Sequence, residues 1–260
     1  MSRLGLLASA IGRMAFHGLI APVAAPRKAR LYWESLVWAA ANAPLSRKTG
    51  DLPEADPEEV VPEIQNVSCD LRDYLPVYGN IVPLEMMILC RIVKALAPRR
   101  VFEFGTFNGG TTLQIGVNSP PDARILTLDL PYDSPLRQNI DIVDVRSDLI
   151  GGCFTNSPWA AKIERLYGDS MTFAFEPYKN SMDLIFVDAS HNEKYVASDT
   201  QSALSMLAPG GVILWHDYAE HAPGVVRVLD RLGARLPLRH VRMTSLAIYR
   251  SPAAEPTRDS

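Results

Sequence analysis

Acidic residues and histidines occur where short apolar segments of this 260-residue sequence end. Carboxylates and imidazoles bind metal ions and transfer protons, so their positions carry information about chemistry. Acids also cap the helices that follow strands, but a cap does not explain Glu103, which lies within an apolar segment. The candidates at the segment ends are Glu103, Gly105, Asp129, Gly168, Asp169, Asp188, His191, His216 and Asp217. We therefore expect functional side chains at these ends.

The first of these segments, VFEFGTFNGG, runs directly into a glycine-containing loop. Gly105 and Gly109 permit a tight turn, and Asp129 lies where an acid at the end of the next strand would accept hydrogen bonds from ribose hydroxyls. A dinucleotide site would have glycine in place of Phe107, so that the pyrophosphate meets the helix N-terminus. The loop predicts a nucleoside cofactor without phosphates, and Glu103 favours a cationic one.

A parallel sheet would bring these segment ends together. The apolar segments span 101–105, 124–130, 163–167, 183–188 and 212–216, and helical patterns, such as those from Pro83 to 96 and over 193–207, separate most of them. Near-continuous apolar strands joined by helices are typical of a parallel sheet covered on both faces, where ligands bind at the carboxyl ends of the strands. After Asp217 come a helix and two strands, 239–243 and 245–250. We predict an α/β, Rossmann-like, doubly wound and mostly parallel seven-stranded sheet with an antiparallel C-terminal edge.

Composition limits the possible partners and the domain organisation. The formal net charge of −3 gives no electrostatic reason to expect a nucleic-acid partner, and three scattered cysteines indicate neither a disulfide framework nor a thiolate zinc site. A reducing cytoplasm fits this cysteine usage. The predicted boundaries are an N-terminal helical extension at 1–50, an acidic, proline-rich linker at 51–66, the main domain at 67–250 and a flexible tail at 251–260.

The N-terminal segment has its own composition. Residues 1–33 contain no acid, carry several arginines and repeat apolar residues at helical spacing. A secretory signal, a transit peptide, a membrane-surface helix and a helix packed on the domain or on a second subunit are all compatible with this pattern. Arg13 divides the apolar run and leaves it too short for a transmembrane helix. We favour a packing or interfacial helix, with membrane-surface contact by residues 1–30 and a homodimer contact as its possible roles.

Five motifs in sequence resemble a known family. VFEFGTFNGGTT, LTLDL, YGDS, LIFVDASHNEKY and APGGVILWHDY together are similar to the class I S-adenosylmethionine-dependent methyltransferases, in the group that methylates small-molecule hydroxyls. The resemblance covers about residues 80–250. It implies that Glu103, Gly105 and Gly109 hold the methionine end of S-adenosylmethionine, and that Asp129 holds its ribose. Asp169 and Ser170 would lie on the adenine side, and the remaining implied cofactor residues are Thr106, Phe107, Gly168 and Asp188.

The same resemblance implies roles on the acceptor side. In metal-assisted members, the acids that end the fourth and fifth strands bind a divalent cation such as Mg²⁺, which positions Asp188 and Asp217 as ligands. His191, three residues after the first acid, would be the general base that accepts the proton of a small-molecule hydroxyl acceptor. Tyr218 stands where many relatives have a second oxygen ligand, which is a departure from the metal-binding pattern. Residues 131–160 are expected to form part of a lid over the acceptor.

Other interpretations of these residues stay open. Asp188 could cap the following helix, His191 could be a loop histidine and His216 a core residue. Two histidines and one carboxylate from the set His191, His216, His221, Asp188 and Asp217 could also form the iron site of an oxygenase or hydroxylase. A non-catalytic scaffold protein with a degenerate cofactor pocket is a further alternative.

Overall fold

The computed structural model describes residues 50–74, 79–139 and 150–254. Of these, residues 50–74, 81–139 and 150–254 belong to one compact unit of the chain. The predicted helical extension at 1–50 lies almost wholly outside the described residues, and so does most of the predicted tail. Within the described ranges, no helix has both the length and the apolar character needed to cross a membrane.

A single mixed sheet organises the described residues. Its strands are β1 (Glu54–Ala55), β2 (Arg100–Phe104), β3 (Arg124–Asp129), β4 (Ile163–Tyr167), β5 (Met182–Val187), β6 (Leu207–Trp215), β7 (Arg239–Val241) and β8 (Ala247–Arg250). Their order across the sheet is β1-β7-β8-β6-β5-β2-β3-β4, and β8 runs antiparallel to both of its neighbours while the other pairs are parallel. After β2 the chain adds β3 and β4 on one side, and then crosses to the other side of β2 to add β5 and β6. The strand order therefore reverses between β2 and β5. Such a switch point is where open α/β sheets bind ligands.

Helices cover both faces of this sheet. They are α1 (Pro57–Val60), α2 (Pro83–Leu96), α3 (Gly110–Asn118), α4 (Gly152–Thr155), α5 (Glu193–Met206) and α6 (Pro223–Gly233). Side chains alternate between the faces of a strand, so Phe102 and Phe104 belong to the core beneath α5 and α6, and Val101 belongs to the core beneath α2 and α3. Glu103 shares the face of Val101. The predicted mostly parallel α/β sheet with an antiparallel C-terminal edge is confirmed.

The sheet has eight strands rather than the predicted seven, because the predicted linker at 51–66 is part of the fold. β1 comes from this segment and pairs in parallel with β7. Leu52, Ala55, Val61 and Ile64 are buried, and α1 begins at Pro57, a position where proline is compatible with a helix. The linker was predicted from the acids and prolines of this segment. In the structure those residues point outward, while the apolar residues between them pack inward.

Candidate active site

The glycine turn joins β2 to α3 at the switch point. Gly105 has φ +91°, and a Cβ there would collide with the carbonyl oxygen of Asp188. Gly109 caps α3 with φ +80°, and a Cβ there would lie 2.5 Å from the Phe154 ring. Phe107, between them, is a non-glycine residue at φ 46°. The turn therefore holds its backbone against the end of β5 at a distance that only glycine permits.

A cavity of about 580 Å³ opens beside this turn, at the carboxyl ends of the strands. Its volume is in the range of small-molecule sites. The predicted cofactor residues that line it are Gly105, Phe107, Asp129, Gly168, Ser170 and Asp188. Glu103, Thr106, Gly109 and Asp169 belong to the same elements, but they are not among its lining residues. The lining side chains that were not predicted include Tyr132, Arg137 and Tyr195.

Glu103 lies beneath the turn instead of facing the cavity. Its side chain is buried, and Oε2 accepts hydrogen bonds from the hydroxyls of Thr112 at 2.5 Å and Thr127 at 2.7 Å. Burial raises the pKa of the Glu103 carboxyl to about 8, although the two threonine hydrogen bonds act in the opposite direction. The structure thus differs from the predicted contact between Glu103 and the methionine end, because odd-numbered residues of β2 face α3.

Asp129 occupies the end of β3, inside the cavity wall. Its Oδ2 accepts a hydrogen bond from the backbone N–H of Phe107 at 3.0 Å. Its Oδ1 accepts one from the backbone N–H of Leu130 at 2.7 Å and one from Nη2 of Arg137 at 2.8 Å. The glycine turn and the loop after β3 thus both hold this carboxylate in place.

Several polar side chains meet where β4 ends against α5. Ser170 and Tyr195 line the cavity, while Asp169 accepts a hydrogen bond from the backbone N–H of Met171 at 3.0 Å. Asp199, one turn after Tyr195, is buried, and within the described residues no hydrogen bond of normal geometry reaches either carboxylate oxygen. Burial raises the pKa of Asp199 to about 7, although the nearby Ser170 hydroxyl acts in the opposite direction. An acid in this position has a cost in stability at neutral pH.

Three carboxylates surround His216 at the end of β6. Nδ1 of His216 lies 3.2 Å from Oδ1 of Asp188 and 3.1 Å from Oδ2 of Asp217, and Nε2 lies 3.1 Å from Oε2 of Glu85. The other Glu85 oxygen accepts hydrogen bonds from the backbone N–H and the hydroxyl of Ser245. Burial acts to lower the pKa of His216, but the nearby carboxylates raise it well above its ordinary value.

Two further histidines share Asp217. Nε2 of His191 lies 2.7 Å from Oδ2 of Asp217, and Nε2 of His221 lies 2.9 Å from Oδ1. The Asp217 hydrogen bond raises the pKa of His191. Burial acts to raise the pKa of Asp217, yet His216 and the hydrogen bonds from the histidines hold it well below its ordinary value. The predicted residues His191, Asp188 and Asp217 are therefore brought together, with His216 between the two aspartates.

The donor set of this cluster suits a divalent cation. One ligand atom each from Asp188, His216 and Asp217 lies within 4.8 Å of the others. The His216 nitrogen that faces Glu85 is the one that the carboxylate would hold when the other nitrogen binds a metal. Tyr218 takes no part, because its hydroxyl donates to Asp230 and accepts from the backbone N–H of Leu52. Within the described residues, the candidate site has two carboxylates and one imidazole, unlike the iron site considered from the sequence.

Comparison with known proteins agrees with this geometry. Residues 102–218 match the family model of a methyltransferase domain, over the stretch from β2 to the end of the His216 cluster. Residues 102–218 are therefore similar to a methyltransferase domain. A curated relative, catechol O-methyltransferase B of Danio rerio, is 26% identical over 181 residues, which are 67% of this chain and 61% of that protein. The chain therefore spans about three fifths of the length of that relative.

Solved structures of O-methyltransferases share the fold of this chain. The O-methyltransferase TomG from Streptomyces achromogenes, in complex with S-adenosylmethionine, has a TM-score of 0.51 at 17% identity, with 67% of this chain and 82% of that chain covered. The O-methyltransferase from Bacillus cereus, in complex with S-adenosylhomocysteine, has a TM-score of 0.50 at 16% identity, with 82% and 97% covered. At these identities the likeness concerns the fold.

Several further residues of the candidate site were not predicted from the sequence, among them Glu85, Asp199 and Arg137. Glu85 and Asp199 are acids on largely apolar helix faces, and such an interruption is a usable signal for a buried polar contact. Arg137 lies in a short 3₁₀ helix at 135–139, where no periodic pattern marks it. His216 was treated as a member of an iron site or a core residue, and the structure places it between the predicted metal ligands.

Proposed function

We propose that the protein is an S-adenosylmethionine-dependent methyltransferase that methylates a hydroxyl group of a small molecule. One observation carries the proposal: Asp188 belongs both to the cavity wall and to the histidine cluster. A cofactor in the cavity would thus present its methyl group beside side chains that can hold and deprotonate an acceptor. Neither half of the site alone would favour methyl transfer over simple nucleoside binding.

Different residues of the cavity would bind different parts of the cofactor. Asp129 would accept a hydrogen bond from the ribose, and Ser170 with neighbouring Asp169 would lie on the adenine side. The glycine turn would lie against the methionine end, with Gly105 in the cavity wall and its backbone held against Asp188. Asp188 would place a carboxylate on the sulfonium side of the cofactor, where its negative charge would favour binding of the positively charged cofactor.

His191 is the proposed general base. Asp217 accepts a hydrogen bond from its imidazole and would stabilise the imidazolium that forms when His191 takes the acceptor proton. The acceptor oxygen would then attack the methyl carbon as the carbon–sulfur bond breaks, and the electron pair of that bond would stay on sulfur in S-adenosylhomocysteine. Holding the oxygen in line with this bond supplies much of the rate.

Asp188, His216 and Asp217 would hold a divalent cation, with Glu85 orienting His216. Such an ion binds a hydroxyl oxygen and lowers its pKa. The mixture of carboxylates and imidazole suits Mn²⁺ or Fe²⁺ as well as Mg²⁺, which prefers oxygen ligands. We also propose a cytoplasmic location, since Cys69, Cys90 and Cys153 are free.

The direct test is turnover with the purified full chain. The protein is incubated with S-adenosylmethionine, with Mg²⁺ or Mn²⁺, and with a panel of small hydroxyl compounds that begins with catechol, the compound named in the curated relative. Release of S-adenosylhomocysteine together with an O-methylated product supports the proposal, and Asp188→Asn serves as the inactive control. Cofactor binding without transfer to any member of a broad panel, with or without metal, would argue for a scaffold protein instead.

A further inference from the structure

Asp129 has little hydrogen-bonding capacity left for a ribose. A carboxylate offers about four lone-pair sites, two on each oxygen. Oδ1 already accepts hydrogen bonds from Leu130 and Arg137, and Oδ2 accepts one from Phe107. A single site on Oδ2 is left, whereas a ribose presents two neighbouring hydroxyls. The second hydroxyl needs another partner, or Arg137 must leave.

Arg137 is anchored independently of Asp129. Its Nε donates to the carbonyl oxygen of Pro131 at 3.0 Å, and its Nη2 donates to the carbonyl oxygen of Leu130 as well as to Asp129. The carbonyl contacts fold the loop after β3 around the guanidinium, which is about four-fifths buried, with 20% of the side chain exposed. An arginine held at two carbonyls and a carboxylate is a fixed part of the wall, because leaving would break all three contacts.

Arg137 belongs to the cavity wall and keeps the N–H donors of Nη1 for a ligand. Arg137 lines the cavity next to Asp129, and within the described ranges its Nη1 makes no hydrogen bond. A ribose hydroxyl both donates and accepts, so one hydroxyl can donate to an acid while its neighbour accepts from a guanidinium. Asp129 with Arg137 offers that pair, one acceptor site beside one cationic donor.

We infer that Arg137 is a second ribose-binding residue, which fixes Asp129 through Nη2 and donates to one ribose hydroxyl through Nη1 while Asp129 accepts from the other. The inference rests on the proposed function, since it requires S-adenosylmethionine or S-adenosylhomocysteine in the cavity. It assigns the two hydroxyls different partners. An acid that receives both hydroxyls would treat them alike.

The experiment is a titration of the full chain with S-adenosylhomocysteine and with its 2′-deoxy and 3′-deoxy analogues. The variants are Arg137→Met, which keeps the apolar stem, Arg137→Lys, which keeps the charge, and the control Arg124→Met, which removes an exposed ion pair with Glu164. We expect Arg137→Met to weaken S-adenosylhomocysteine binding by about tenfold to hundredfold, the range for hydrogen bonds to charged groups. Arg124→Met should bind like the wild type.

The analogues separate a direct contact from a structural role. Removal of the hydroxyl that Arg137 contacts should cost the wild type about tenfold in affinity and Arg137→Met about twofold or less. Removal of the other hydroxyl should cost both proteins the same factor. If Arg137→Met does not fold, Arg137→Lys is judged by the same comparison.

Two results would overturn the inference while leaving the proposed function intact. Equal or tighter binding of S-adenosylhomocysteine by the Arg137 variants would mean that the arginine competes with the cofactor. If each analogue loses the same factor in affinity with the wild type as with Arg137→Met, Arg137 only supports the fold. Failure of folded wild-type protein to bind S-adenosylhomocysteine at all is a separate outcome, and it overturns the proposed function together with the inference.

Discussion

Replacement of Glu103 by glutamine should stabilise the protein at neutral pH without lowering its affinity for the cofactor. The carboxyl is buried beneath the glycine turn with its pKa raised to about 8, against an ordinary value of 4.5. Between these two pH values the folded protein keeps a proton on Glu103 that the unfolded chain releases. The contribution of Glu103 to stability is therefore fully present below pH 4.5 and is lost as the pH rises through 8. At pH 7 the cost of this proton uptake is about 3 kcal/mol.

Glutamine keeps the oxygen that accepts hydrogen bonds from Thr112 and Thr127 and has no charge to lose. The difference in unfolding free energy between Glu103→Gln and wild type should grow from near zero at pH 4.5 to about 3 kcal/mol at pH 7. Urea unfolding across this range measures it. Glu164→Gln, which changes an exposed acid of β4, is the matched control and should lack this growth.

Cofactor affinity is the second readout for the same variant. Glu103 does not line the cavity, so Glu103→Gln should bind S-adenosylhomocysteine as the wild type does. Two results would show that Glu103 has another role. Parallel curves of unfolding free energy against pH for wild type and Glu103→Gln, from pH 4.5 to 8, would mean that the carboxyl is not held protonated. A large loss of affinity would mean that Glu103 contacts the methionine end of the cofactor after all.

The remaining predictions concern other parts of the site. Gly105→Ala should lower the melting temperature and abolish cofactor binding, because a Cβ at positive φ would collide with the Asp188 carbonyl; unchanged melting and binding would contradict the role of the turn. His191→Ala should reduce kcat by about 10²-fold to 10⁴-fold with S-adenosylhomocysteine affinity unchanged in calorimetry, and an unchanged kcat would remove His191 from the mechanism. Chelation should lower turnover and added Mn²⁺ should restore it, whereas His216→Ala should lose the restoration; full activity in chelator would exclude the ion. Asp199→Asn should raise stability at pH 8 more than at pH 5, as measured by urea unfolding, because burial raises the pKa of Asp199 to about 7 and the acid must be ionised above that pH.

The strand-end rule located much of the site from sequence alone. Asp129 is the last residue of β3, Asp188 directly follows β5, and Asp217 lies two residues after β6. Parallel strands place their carboxyl ends at one edge of a sheet. The same rule could not say which face a side chain takes near a strand end. Glu103 illustrates this limit, since a shift of one residue along β2 separates the cavity from the core beneath α3.

Contacts between distant parts of the chain were beyond the sequence pattern. Glu85 and His216 are 131 residues apart and meet only because α2 packs over the sheet near the end of β6. Arg137 reaches Asp129 through a loop whose shape depends on hydrogen bonds to its own carbonyl oxygens. The segment 51–66 was misjudged for a related reason: its composition is polar on average, but Val61 and Ile64 are spaced to pack on the domain.

Binding of S-adenosylmethionine and S-adenosylhomocysteine to the full chain, measured by calorimetric titration, is the decisive experiment. We expect one site per chain for both ligands, and loss of that binding in Asp129→Ala at an unchanged fold. If folded wild-type protein binds neither ligand, the protein is not an S-adenosylmethionine-dependent methyltransferase.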